Sequence, residues 1–162
     1  MGVDVLTKCI HLENEDKKSP YGAVSFPIFQ TATFAHPGVE NSTGYDYSRL
    51  QNPTREQLEK VVASLENGID ALAFSSGMAA IATLMELFKP GDHLIVDADL
   101  YGGTIRLFDH ISEKNGLKIT KIDCIEAEIE RNIRENTKAV YIETPTNPMM
   151  NVYDIKRLAE LT

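Results

Sequence analysis

Apolar positions fall into two regimes along the chain. Up to residue 53 they follow neither a helical nor a strand period. Pro20, Pro27, Pro37 and Pro53 interrupt that stretch, together with Gly22, Gly38 and Gly44. Tyr21, Phe26, Phe29, Phe34, Tyr45 and Tyr47 lie within it, and aromatic side chains need somewhere to pack. A long irregular segment of this kind is usually disordered or functional. The pattern predicts that residues 1–53 are an extended arm that wraps a neighbouring subunit.

From residue 54 the spacing becomes regular. Thr54 with Gln57 reads as a capping box, followed by Leu58, Val61, Val62 and Leu65 at helical spacing and by Asn67–Gly68 as a stop. Residues 71–74 (ALAF) read as a short buried strand, and 77–88 as a helix that is apolar nearly all round and therefore buried. A turn at 89–92 leads to a strand at 93–98. Residues 104–114 read as a helix with Ile105, Phe108 and Ile111 on one face, closed by Asn115–Gly116. A strand is expected at 117–123, a helix at 125–134 and a strand at 138–144. A last helix begins at 154 with Asp154 as its cap.

Strands alternating with helices imply an α/β fold with a mainly parallel sheet flanked by helices. The last helical pattern runs to Thr162 without a C-cap. The expectation is an arm over 1–53, and over 54–162 the front part of an α/β domain that continues in a longer protein.

Composition narrows the partners. The chain has 162 residues, 43% of them apolar, and a formal net charge of −8. An acidic balance without a basic block argues against nucleic acid or an anionic membrane. The N-terminus matches neither a signal peptide nor a myristoylation pattern, and no apolar run reaches membrane-spanning length. Cys9 and Cys124 lack a CxxC companion, which suggests reduced thiols in a cytoplasmic protein. His11, His36, His93 and His110 show no metal-ligand spacing, so no metal is expected.

Candidate chemistry sits at three strand ends, where ligands of α/β sheets bind. In FSSGM (74–78), Ser76, Gly77 and Met78 open a helix, so free N–H groups and the helix dipole suit an anion such as phosphate. A plain serine cap with a tight turn explains the same residues. In DADLYGGT (97–104), Tyr101 can stack on a planar ligand or move a proton, or it can be a rim tyrosine beside a flexible turn. In ETPTNP (143–148), Asn147 offers a donor and an acceptor to a ligand, or it serves an Asx turn, with Glu143 beside it. In the arm, Tyr47 and Arg49 point the same way if extended and suit a phosphate, or Arg49 is solvated. The nucleotide fingerprints GxGxxG and GxxxxGK are absent, as is the GxSxG elbow.

YSR (47–49) with NPT (52–54), then SSGMAA (75–80), DLYGGT (99–104) and ETPTNP (143–148), in this order, resemble the Cys/Met-metabolism family of pyridoxal-phosphate enzymes. That family includes cystathionine γ-synthase, the cystathionine lyases, methionine γ-lyase and O-acetylhomoserine sulfhydrylase. The resemblance covers nearly the whole chain. It implies fold type I, and a tetramer built as a dimer of dimers. It implies pyridoxal 5′-phosphate, with Gly77, Met78 and Ser76 holding its phosphate and Tyr47 and Arg49 reaching that phosphate from the neighbouring subunit. Tyr101 would stack on the pyridine ring and serve as acid/base toward the leaving group. Asn147 would contact the ring hydroxyl and the substrate carboxylate, while Glu143 would serve structure. The implied substrates are sulfur-containing amino acids or homoserine esters, in β/γ-elimination or γ-replacement.

Two departures accompany the resemblance. The family's cofactor-binding lysine and the aspartate that pairs with the pyridine nitrogen are expected beyond residue 162, so this chain alone is expected to be inactive. Methionine γ-lyases carry a cysteine where this chain has Gly103, which points away from that specificity. Two rival readings stand beside the enzyme: a non-catalytic truncated homologue or assembly module, and a different α/β enzyme that binds a phosphorylated ligand at FSSGM.

Overall fold

The computed structural model describes residues 4–11 and 21–162. Pro20 and the 12–20 stretch of the expected arm lie outside the described residues. The chain divides into two compact units, Met1–Ala73 and Phe74–Thr162.

In the first unit, one helical turn, α1 (Val5–Lys8), is capped by Asp4, whose carboxylate accepts from Leu6 N–H at 2.7 Å. Residues 21–52 then run without a helix or ladder. Their only regular pairings among the described residues are single bridges, Thr33 with Tyr47 and Gly38 with Asn41. This matches the aperiodic pattern. The helix α2 (Pro53–Leu65) follows. Its cap is Asn52, not Thr54: the Asn52 carboxamide accepts from Thr54 N–H at 2.9 Å. The following Pro53 holds Asn52 extended and occupies the first helical position, where a missing N–H costs nothing. Thr54 is used differently, its hydroxyl accepting from Phe29 N–H at 2.8 Å. Asn67 closes the helix at φ 54°, and Gly68 N–H reaches Ala63 O at 2.8 Å.

The expected strand at 71–74 is absent; these residues are irregular. An apolar run becomes a strand only when a neighbour takes its backbone groups. Here Ala73 N–H goes instead to the Glu59 carboxylate at 2.9 Å.

The second unit is a parallel sheet of three strands covered on both faces. β1 (His93–Asp97) lies between β2 (Lys118–Ile122) and β3 (Thr137–Tyr141), in the order β2-β1-β3. All five residues of β1 are buried, as a central strand requires. Its side chains alternate between two cores. Leu94 and Val96 join Met85, Leu100, Phe108, Ile111 and Leu117. Ile95 joins Cys124, Ile129 and Leu158. The helices are α3 (Gly77–Leu84), α4 (Gly102–Asn115), α5 (Glu126–Asn132) and α6 (Ile155–Ala159).

α4 starts two residues before the expected point and ends at Gly116, in the left-handed conformation at φ 70°. Asp154 caps α6 as expected, accepting from Arg157 N–H at 3.0 Å. β3 leaves its ladder after Tyr141, earlier than the pattern suggested. α3 is not buried. It gives way to a 3₁₀ turn at Met85–Leu87, and only Met85 there is fully enclosed. Ile81 packs on the core, while Leu84 and Leu87 stay exposed, because one layer of sheet covers one face of a helix.

Candidate functional site

At the start of α3, Ser76 is extended (φ −158°, ψ 156°) and its hydroxyl oxygen accepts from Ala79 N–H at 3.1 Å. Helix geometry leaves the N–H groups of Gly77 and Met78 without an intrahelical acceptor. No atom lies within 4 Å of where a Cβ on Gly77 would stand, so the helix start is open. The Ser76 hydroxyl uses its oxygen in the cap and keeps its proton to donate. This donor set is neutral and hydrogen-bonding, and it fits a phosphate group.

Tyr101 follows β1 by four residues. Asp97 turns the chain there, accepting from Asp99 N–H at 3.1 Å, and buried Leu100 anchors the loop. The Tyr101 ring, half exposed, lies against Gly103. A Cβ on Gly103 would stand 2.5 Å from Tyr101 Cε1 and 3.1 Å from Met78 Sδ. A Cβ there would require the Tyr101 ring or the Met78 side chain to shift. Gly103 is therefore the space that lets Tyr101 settle beside the start of α3, and the FSSGM and DLYGGT stretches adjoin through it. The donors, the open helix start and an adjacent aromatic face together fit a phosphorylated planar cofactor.

The 143–151 loop is tied to the same place. Glu143 accepts from Tyr101 N–H at 2.9 Å and from the Thr104 hydroxyl at 3.1 Å. Thr146, which is buried, and Asn151, which is exposed, hold each other through Thr146 N–H to Asn151 O at 2.9 Å and Asn151 N–H to Thr146 Oγ1 at 2.8 Å. The Asn151 amide also donates to Asp99 at 3.3 Å. The Thr144–Pro145 and Asn147–Pro148 peptide bonds are cis. Asn147 is exposed.

In the first unit, Arg49 and Tyr47 meet, but not as alternate residues of an extended strand. Residues 48–50 turn, with Leu50 and Gln51 N–H both reaching Tyr47 O at 3.0 Å. The turn folds the Arg49 guanidinium over the Tyr47 ring, 4.8 Å from its centre.

Several groups around the second unit's strand ends escaped the pattern. Asp97 is buried, and its Oδ2 has no hydrogen-bond partner among the described residues. Tyr153 donates to Asp123 at 3.5 Å; burial, and then the adjacent Asp97 carboxylate, push its phenol well above the ordinary value. Burial, with Asp97 and Asp123 nearby, pushes the Cys124 thiol up to about 12, which favours the protonated thiol over the thiolate. Tyr141 is also pushed up, by burial and by Glu143. Local spacing does not signal the pairs that Asp97 makes with Tyr153 and Cys124, because those partners are distant in sequence. Among the described residues no cluster of acidic, histidine or cysteine side chains could hold a metal ion. Among them no helix is long and apolar enough to cross a membrane.

The model of the family described as "Cys/Met metabolism PLP-dependent enzyme" matches residues 6–162. The chain is 48% identical over 163 residues to the cystathionine gamma-synthase/O-acetylhomoserine (thiol)-lyase of Bacillus subtilis (strain 168), covering 100% of this chain and 43% of that protein. It is 48% identical over 141 residues to the cystathionine gamma-lyase of the same organism, covering 86% and 37%. It resembles the crystal structure of metB from Corynebacterium glutamicum with a TM-score of 0.86 at 40% identity, covering 99% of this chain and 42% of that one. The chain thus spans less than half the length of these relatives.

Proposed function

The chain belongs to the Cys/Met metabolism family of pyridoxal-phosphate-dependent enzymes, and on that premise we propose that it forms the front of a lyase or transferase acting on sulfur amino acids. The reaction class is β/γ-elimination or γ-replacement on cysteine, methionine, cystathionine or homoserine esters. Equal identity to a synthase and to a lyase supports the class rather than either single reaction. The enzyme works in the cytoplasm as a dimer of dimers, with the arm laid on a neighbouring copy.

Pyridoxal phosphate, when bound, supplies an electron sink for the pair released as the substrate's α-proton leaves. In our reading Gly77 and Met78 N–H, with the Ser76 hydroxyl, hold the phosphate. The Tyr101 ring covers the pyridine, and its hydroxyl holds or moves a proton at the leaving group. Asn147 orients the substrate carboxylate. Tyr47 and Arg49, contributed by a neighbouring copy, add the one cation the neutral helix start lacks. No lysine lies within 74–78, 97–104 or 143–151, so this chain alone holds the cofactor without a covalent bond and does not turn over.

The observation that carries this reading is the packing of Tyr101 beside Met78 across the bare face of Gly103. The test is titration of the chain with pyridoxamine 5′-phosphate, which cannot react with lysine. Saturable binding is expected, with pyridoxamine lacking the phosphate at least about tenfold weaker. Absent binding, or equal binding of both compounds, overturns the site. Borohydride reduction after adding pyridoxal phosphate is a second check: one lysine labelled stoichiometrically would overturn the non-covalent part.

A further inference from the structure

α4 begins with an unfavourable sequence. Its N-cap residue, Tyr101, has no oxygen placed to cap and makes no side-chain cap bond. Gly102 and Gly103 follow at the first two helical positions, and glycine is a weak helix former. At position 103 a side chain would crowd the Tyr101 ring and Met78 Sδ. The local sequence therefore gives up its own cap for the shape of the site.

One half of a capping box is supplied from 42 residues away. Glu143 Oε2 accepts from the Tyr101 N–H at 2.9 Å, and Glu143 Oε1 accepts from the Thr104 hydroxyl at 3.1 Å. These are the N-cap and third helical positions, the two positions that an ordinary capping box joins within one segment. Thr104 is fully buried and Glu143 half-buried. No lysine or arginine pairs with Glu143 among the described residues. Its negative charge faces the positive end of a 14-residue helix instead.

We infer that Glu143 is a positioning residue: its carboxylate fixes the backbone of Tyr101, and so the place of the Tyr101 ring, from the loop that carries Asn147. This role rests on the reading that Tyr101 covers the cofactor ring. A simple helix cap would stabilise α4 without regard to Tyr101. A positioning residue acts only through it.

The experiment compares Glu143→Gln and Glu143→Ala with wild type in two measurements. In amide hydrogen exchange, the Tyr101 N–H is expected to lose at least about tenfold protection in Glu143→Ala, with the β1 amides unchanged. In titrations, the Kd for pyridoxamine 5′-phosphate is expected to rise about tenfold, while the Kd for inorganic phosphate stays within about twofold. Glu143→Gln keeps one acceptor oxygen and should recover part of both effects, which also covers the case in which the alanine variant fails to fold. In a Tyr101→Ala background, Glu143→Ala should weaken binding no further. Unchanged Tyr101 exchange overturns the inference. So do additive effects of the two substitutions, or phosphate and pyridoxamine phosphate weakening together. If wild type binds no pyridoxamine 5′-phosphate, the cofactor reading falls separately, and the exchange measurement alone decides the contact between Glu143 and Tyr101.

Discussion

The two units hold their candidate site residues in different ways. In the first unit, Tyr47 and Arg49 are neighbours in sequence, brought together by a turn, and both are exposed. Elsewhere in that unit Tyr21, Val24 and Val39 are largely open to solvent. In the second unit, the Tyr101 loop follows the buried strand β1, the Asn147 loop follows β3, and bonds spanning about forty residues join the two. One unit offers side chains whose setting is local. The other builds a shape whose parts depend on one another. A substitution should therefore act in proportion to the network it enters.

The largest effect should come from Phe108→Ala. Phe108 is fully buried and meets Tyr141 edge-on, with ring centres 5.0 Å apart. A cavity there should cost about 3–5 kcal/mol in denaturant unfolding. Val39→Ala, in the first unit, should stay within about 0.5 kcal/mol. Equal effects would erase the contrast between the units.

Gly103→Ala comes next. Its methyl must displace the Tyr101 ring or Met78. Pyridoxamine 5′-phosphate should bind about tenfold more weakly, or about 1.4 kcal/mol, with little change in melting temperature. Unchanged binding would show that the ring is free to move and the shape is not interdependent.

Asn52→Ala should cost about 1 kcal/mol of stability through the lost cap of α2, and leave pyridoxamine phosphate binding unchanged. The same position shows what was readable beforehand. Asn-Pro-Thr carries the cap in plain view: the residue before a proline is extended, and proline favours the first helical turn. Thr54 drew the assignment because it fits a commoner motif. The β1 strand and the Gly116 stop of α4 were legible because their causes are local. The strand at 71–74 was misjudged because pairing needs a neighbour that apolarity does not reveal. Of the site, the open helix start and Tyr101 could be named from short motifs. The part played by Glu143 could not, since nothing near position 143 mentions position 101.

The smallest effect tests the far end of the sheet. His93 is buried with Nδ1 2.7 Å from the Thr137 hydroxyl and Nε2 2.8 Å from that of Thr120. Burial, and then the nearby Arg134 charge, lower its pKa and keep it neutral. The unfolded chain protonates this ring near pH 6.5, so below that value it binds more protons than the folded one. Stability should be level above about pH 7 and fall as pH drops, by at most about 0.7 kcal/mol between pH 7 and 6 for one such group. Denaturation midpoints at the two pH values should show this slope, flattened in His93→Asn. A slope that survives the substitution would assign the effect to other groups.

The order of the sheet also sets a schedule for synthesis. β1 becomes the middle strand, yet it is the first of the three to leave the ribosome. His93 waits for Thr137, 44 residues downstream, before β3 can join it. At about 5–20 residues per second that is roughly 2–9 s with one edge of an apolar strand unclaimed. During that interval the segment LIV (94–96), later sealed from water, presents an unpaired apolar edge that a chaperone would cover.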